Sequence, residues 1–140
     1  MSGPALRRRS SHRAIHEASY GEAEELTALL RKMAEAEVKP PRLLETAYIL
    51  VEHWETKILA HAEAEEEGLY VTAVEENPKL REKVEELTNE HECLRTLVRK
   101  IKDILLKSGV TEDVLSLFDA LLLINETHNY KEETQLLRHR

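Results

Sequence analysis

Apolar residues recur along the chain at alternating intervals of three and four residues, the spacing that keeps one face of a helix against a bundle core. Four stripes follow this spacing, and polar residues interrupt all of them. The stripes are His12, His16, Ser19, Ala23, Leu26, Leu30, Met33; Leu44, Ala47, Val51, Trp54, Ile58, His61, Glu65, Leu69; Leu80, Val84, Leu87, His91, Leu94, Val98, Ile101, Leu105; and Val114, Phe118, Leu121, Asn125, His128, Glu132. Histidines and glutamates therefore occupy inward positions where packing favours leucine.

Helix-breaking and capping residues divide the chain into four helices joined by short turns. Proline suits a first helical turn and glycine suits a helix end. The turns contain Pro40-Pro41, Asn77-Pro78 and Ser108-Gly109, with Thr111 as the cap of the last helix. The helices are predicted from about Ser10-Ser11 to Glu37, from Arg42 to Glu76, from Lys79 to Lys107, and from behind Thr111 onward. The pattern predicts an all-α fold, an antiparallel up-down-up-down four-helix bundle.

The composition is typical of one helical domain. The chain has 140 residues, of which 34% are charged and only 4 are glycine and 4 proline, as expected of long helices with solvated outer faces. We expect residues 1–10 to be a flexible basic tail and residues 11–140 to be the bundle domain. The basic cluster Arg7, Arg8, Arg9 and Arg13 is interpreted as a solvated terminus.

Charge, hydropathy and cysteine content exclude several classes of protein. The net charge of -7 disfavours nucleic-acid binding, which relies on a basic surface. No membrane span or secretory signal is found, so we expect a cytoplasmic protein with no membrane partner, as a monomer or weak homodimer. Cys93 is the only cysteine, which excludes an internal disulfide, and it is interpreted as a buried structural thiol. His53 lies off the stripe and is interpreted as a surface residue.

Two inward glutamates indicate a metal site. A buried carboxylate costs several kcal/mol unless it is paired or bound to a metal, so Glu65 and Glu132 need partners. Each follows a histidine by four residues, which places both side chains on one helical face about 6 Å apart along the axis. These pairs are His61 with Glu65 and His128 with Glu132. Glu66, Glu67 and Glu133 are interpreted as solvated neighbours of these glutamates, with Glu66 as an alternative hydrogen-bond acceptor for a ligand.

The candidate ligands lie level with one another in an antiparallel bundle. The sequence midpoint of His61 and His91 falls beside Asn77-Pro78, and that of His91 and His128 falls at Gly109. In the first helix the same test favours His16 over His12, but the difference is one helical turn and both stay open. Histidine and carboxylate ligands favour iron or manganese over structural zinc, and facing helices carry such ligands in di-iron bundles.

These motifs resemble the hemerythrin-like family, also called HHE cation-binding domains, over nearly the whole chain. The resemblance rests on residues 11–16, 61–70, 90–95 and 128–133. It implies an oxo- or hydroxo-bridged di-iron pair, with manganese or zinc as substitutes. The implied bridging carboxylates are Glu65 and Glu132, and the implied terminal ligands are His16 (or His12), His61, His91 and His128.

Three departures from the family pattern affect the expected function. Oxygen-carrying hemerythrins have a second histidine one turn after the third-helix ligand, where this chain has Arg95, and the usual Phe-Pro after the second-helix motif is Tyr70-Val71. The usual family motif in the first helix also matches His12 better than His16. Plain reversible oxygen carriage is therefore not the leading hypothesis.

The expected function is a non-haem di-iron protein that binds oxygen, peroxide or nitric oxide at an open iron position, for sensing or detoxification. Two alternatives stay open at this point. The first is a peroxide-consuming di-iron enzyme that uses the same ligands. The second is a structural or partner-binding helical bundle without metal.

Overall fold

The computed structural model describes the backbone of residues 3–137 and the side chains of residues 11–137. All regular structure in residues 3–137 is helical, and no strand occurs there. The elements are α1 (Gly3–Glu35), α2 (Pro40–His53), a first π-helical segment (Trp54–Leu59), α3 (Ala60–Glu67), α4 (Leu69–Glu76), a 3₁₀ turn (Pro78–Leu80), α5 (Arg81–Ser108), α6 (Glu112–Lys131) and a second π-helical segment (Glu132–Leu136).

These elements form four bundle helices, as the sequence predicted. The first is α1, the second runs from α2 through α4, the third is α5, and the fourth is α6 with the second π-helical segment. Contacts between them run antiparallel: Arg31 pairs with Asp119 near one end of the bundle, whereas His16 pairs with Glu133 near the other. The predicted all-α bundle is therefore confirmed.

The turns form where breakers and caps were predicted. Pro40 starts α2, the side chain of Asn77 accepts a hydrogen bond from the Lys79 amide, and Thr111 caps α6 by accepting from the Val114 amide at 3.3 Å. Gly109 ends α5 with a φ of 74°, a conformation that suits glycine because it has no Cβ. Local sequence thus fixes the ends of three helices.

Two features of the helices differ from the prediction: the continuity of the second bundle helix and the start of the first. The second bundle helix is not continuous, because a π-helical segment follows His53 and a break occurs at Gly68. α1 begins at Gly3, so helical backbone extends into the segment expected to be a tail. The side chains of Arg7, Arg8 and Arg9 lie outside the described residues, and the division of the chain at residue 10 stays a prediction.

The core has two apolar clusters with a polar layer between them. The larger core contains Leu30, Leu50, Trp54, Leu94 and Phe118 among others. The smaller core contains Tyr70, Ala73, Leu87 and Leu136. On α5, His91 lies between Leu87 of the smaller core and Leu94 of the larger one, which places the polar layer. Among the described residues, no helix has the length and apolar character needed to cross a membrane.

Candidate metal centre

Two carboxylates lie at the centre of the polar layer. Glu65 of α3 is 4% exposed, and Glu132, the first residue of the second π-helical segment, is fully buried. An ionised carboxylate in such surroundings is stable only when cations or hydrogen-bond donors surround it. The side chains around the pair therefore define the site.

A first histidine group faces one oxygen of each carboxylate. His12 Nε2 lies 2.6 Å from Glu65 Oε2 and 2.7 Å from Glu132 Oε1. His16 Nε2 lies 3.2 Å from Glu132 Oε1, and His61 Nε2 lies 3.4 Å from Glu65 Oε2. Three imidazoles from α1 and α3 thus converge on one side of the carboxylate pair.

A second histidine group faces the two remaining carboxylate oxygens. His91 Nε2 of α5 lies 3.3 Å from Glu65 Oε1, and His128 Nε2 of α6 lies 3.3 Å from Glu132 Oε2. Each carboxylate therefore directs one oxygen to the first group and the other oxygen to the second. This is the arrangement in which a carboxylate could bridge two ions.

The structure brings together all seven residues that the sequence singled out. Their donor atoms form two sets, each with members within 4.8 Å of one another: His12, His16, His61 and Glu65 in one, and Glu65, His91, His128 and Glu132 in the other. Both histidines of α1 take part, because residues four apart share one helical face. The geometry thus gives no reason to choose between them.

Of the five histidines in the two groups, three have a carboxylate against Nδ1, the ring nitrogen that faces away from the centre of the site. Nδ1 of His16 lies 2.7 Å from Glu133 Oε2, and Nδ1 of His91 lies 2.6 Å from Glu66 Oε2. Nδ1 of His128 lies 2.8 Å from Glu90 Oε1. When Nδ1 carries the donated proton, Nε2 presents its lone pair to the interior, which is the form that binds metals.

The sequence had indicated only one of these outer carboxylates, and that one only as an alternative. Glu66 was first interpreted as solvated, and the structure shows the alternative, an acceptor for a histidine. The interpretation of Glu133 as solvated is wrong, and Glu90 was missed. Two of the three are also held by cations. Arg95 Nη2 lies 2.8 Å from Glu66 Oε2, and Lys131 Nζ lies 2.6 Å from Glu90 Oε2. Glu90 directly precedes His91 in the sequence, and that position was its only indication.

The electrostatics of the site favour positive charge. Burial lowers the pKa of His12, but hydrogen bonds and charge from Glu132 and Glu65 outweigh it and raise that pKa to about 9. The same balance raises the pKa of His16 to about 10, and for His128, Glu132 and Glu90 raise it to about 9. Burial opposes ionisation of Glu65, yet its hydrogen bonds hold its pKa below the usual range. Without metal, protons supply the positive charge.

One further residue of the site was missed. The Tyr70 hydroxyl, in a side chain only 2% exposed, donates a hydrogen bond to Glu132 Oε2. Burial and the charges of Glu132 and Glu65 raise the pKa of Tyr70, so it holds its proton in this arrangement. In the sequence, Tyr70 was noted only as the end of the segment 61–70 that resembles the family and as part of the departure Tyr70-Val71.

Two interpretations outside the site are wrong. His53 is 7% exposed rather than on the surface, and its Nε2 lies 2.8 Å from the Ser19 carbonyl oxygen, between the first two bundle helices. Cys93 is exposed rather than buried, because two residues after His91 a helix presents the opposite side.

A small cavity adjoins the histidines on the side of the larger core. Its volume is about 20 Å³, and its lining includes Ile58, Leu94 and Asn125 beside the imidazoles of both groups. A cavity of about 10–15 Å³ already holds one water molecule. The cavity therefore has room for one small molecule and excludes large substrates.

The fold and this geometry define a helical-bundle protein whose buried histidine and glutamate cluster can hold metal. Residues 8–139 match the family model described as hemerythrin HHE cation binding domain. The chain therefore belongs to the hemerythrin HHE cation-binding family. No match was found among the curated proteins or the solved structures.

Proposed function

We propose that this chain is a non-haem di-iron protein whose ion pair lies in the polar layer of the bundle. The observation that carries the proposal is the division of each buried carboxylate, Glu65 and Glu132, between two histidine groups. One ion would be held by His12, His16 and His61, and the other by His91 and His128. The two carboxylates would bridge the ions, together with an oxo or hydroxo group.

The donor set fits iron. Imidazole and carboxylate ligands suit iron and manganese, whereas structural zinc takes four ligands and commonly uses thiolates. The one thiol of the chain, Cys93, is exposed on α5 and is absent from both donor sets. Manganese or zinc would enter as substitutes for iron.

The ligand of the ion pair would be a small molecule such as oxygen, peroxide or nitric oxide. A cavity of about 20 Å³ beside the histidines supports this size class. Its lining combines the apolar side chains of Ile58 and Leu94 with Asn125, which offers an amide for hydrogen bonding. When bound, the irons would supply an open coordination position for these molecules, which suits sensing or detoxification in the cytoplasm.

Iron loading tests the proposal directly. We expect anaerobic incubation with ferrous iron to give two ions per chain. A Glu132→Gln variant keeps the shape of the side chain but removes the bridging charge, so it should retain fewer than one ion. Glu63→Gln, exposed on the same helix as Glu65, is the matched control and should retain two. Absence of stoichiometric iron in the unaltered chain would leave only a metal-free helical bundle.

Addition of nitric oxide, oxygen or peroxide to the loaded protein separates binding from turnover. A stable change in the optical spectrum at one equivalent per ion pair is expected of a sensor or carrier. Continued consumption of peroxide, with the spectrum returning to its starting state, would favour the alternative, a peroxide-consuming enzyme.

A further inference from the structure

The Tyr70 hydroxyl lies among the donor atoms of the second histidine group. It is 3.5 Å from His91 Nε2 and 3.5 Å from His128 Nε2, and it donates to Glu132 Oε2. The Tyr70 ring is also stacked on the His91 ring, with centroids 5.5 Å apart and planes 6° from parallel. The phenol oxygen is thus held in one position by packing on several sides.

These separations are close to the widest between neighbouring ligands of a common ion. When metal–donor bonds are about 2.0–2.1 Å long, neighbouring donors lie about 2.8–3.0 Å apart at right angles and about 3.3–3.4 Å apart in a tetrahedral arrangement. The contacts of His91 Nε2 and His128 Nε2 with the carboxylate oxygens are 3.3 Å, and their contacts with the phenol oxygen are 3.5 Å. Hydrogen bonds between nitrogen and oxygen are usually about 2.9–3.0 Å long, which is clearly shorter than these contacts. Apart from the hydrogen bond from Tyr70 to Glu132, these atoms lie around a common point at distances longer than usual hydrogen bonds.

The two histidine groups are unequal, and Tyr70 makes up the difference. Three imidazoles face the first set of carboxylate oxygens, whereas two face the second. The phenol oxygen adds a third donor beside His91 and His128. It comes from the smaller core, while the cavity lies on the opposite side, against the larger core, and Tyr70 is absent from its lining.

We propose that Tyr70 is a ligand of the ion held by His91 and His128. This inference rests on the proposed function, since it needs an ion pair at this position. As the phenol oxygen binds the ion, the proton it donates to Glu132 leaves to solvent. Tyr70 then closes the side of the ion that faces the smaller core. A small molecule can approach from the cavity on the other side.

The visible spectrum of the ferric protein tests this ligand. A phenolate bound to ferric iron absorbs visible light by charge transfer, and resonance Raman excitation in that band enhances tyrosine ring vibrations. We expect both features in the unaltered chain loaded with two ferric ions. Tyr70→Phe should lose the band while keeping two irons, and Tyr130→Phe, on an exposed side chain of α6, should keep it.

A second variant covers the case in which Tyr70→Phe fails to fold or to load. The chain has four tyrosines, so a triple variant with Tyr20, Tyr48 and Tyr130 changed to Phe leaves Tyr70 alone. This variant should keep the band and the Raman lines. If the unaltered chain binds two irons but shows no tyrosinate band, the proposal that Tyr70 is a ligand is overturned, and the proposed di-iron function stands. Failure to take up iron would overturn the proposed function as well.

Discussion

The orientation of a metal-binding histidine depends on its outer nitrogen. His91 donates from Nδ1 to Glu66, and Arg95 holds the same carboxylate oxygen. This chain of contacts fixes the imidazole ring and keeps Nε2 free to bind an ion. Since Glu66 lies on α3 and His91 on α5, the contact also joins two bundle helices.

Changing Glu66 to glutamine should weaken metal binding without removing any proposed ligand. The amide is a neutral and weaker acceptor for His91 Nδ1, and loss of such outer partners lowers metal affinity about 10–100-fold. Competition with a chelator measures the change. Glu67→Gln, next in sequence but exposed, should leave the affinity unaltered. Equal effects of the two variants would argue against this role of Glu66.

At the residue scale, the sequence predicted the side chains that follow regular helical spacing. His91, His128 and Glu132 are buried on the predicted stripes. Tyr70 could not be predicted in the same way. In a continuous helix, a residue five positions after Glu65 points roughly 140° away from it. The break at Gly68 changes that direction and brings Tyr70 inward.

At the scale of elements, the fourth stripe was predicted best. All six of its residues are buried, because α6 stays α-helical as far as Lys131 and so keeps a constant period. The second bundle helix contains a π-helical segment at Trp54–Leu59 and a break at Gly68. Such interruptions depend on tertiary packing and commonly occur at functional sites, so propensity alone did not indicate them.

The larger core and the polar layer should respond independently to substitution. Phe118 is fully buried on α6 within the larger core, so Phe118→Ala should lower the free energy of unfolding of the metal-free protein by about 3–5 kcal/mol. Chemical denaturation measures this loss. Leu123→Ala, on the same helix but 65% exposed, should change it by less than about 0.5 kcal/mol. Both variants should still bind two irons when folded. Loss of iron from folded Phe118→Ala would contradict this separation.

At the scale of the whole molecule, the histidine cluster makes stability depend on pH. The pKa values of His12, His16 and His128 rise from 6.5 to about 9–10 on folding. The folded protein therefore binds more protons than the unfolded chain between those values. The resulting stability is fully present below about pH 6.5 and is lost as pH rises through 9–10.

Denaturation of the metal-free protein at pH 7 and pH 10 tests this dependence. We expect a lower denaturation midpoint at pH 10, and a smaller decrease for a His16→Gln variant, in which one of the shifted groups is absent. Metal binding should show the opposite trend, because an ion displaces protons from the imidazoles and binds more strongly as pH rises. A midpoint that does not fall between these pH values would contradict the charge balance described for the cluster.

The contact between His12 and Glu132 spans 120 positions of the chain. If ions occupy this layer, the terminal helices, which ordinarily fray first, become tied together through coordination bonds. Ion insertion would then have to wait until the ribosome has released Glu132, and a truncated or unfinished chain would hold no complete pair. Iron content would thus report whether synthesis and folding of the entire bundle had been completed.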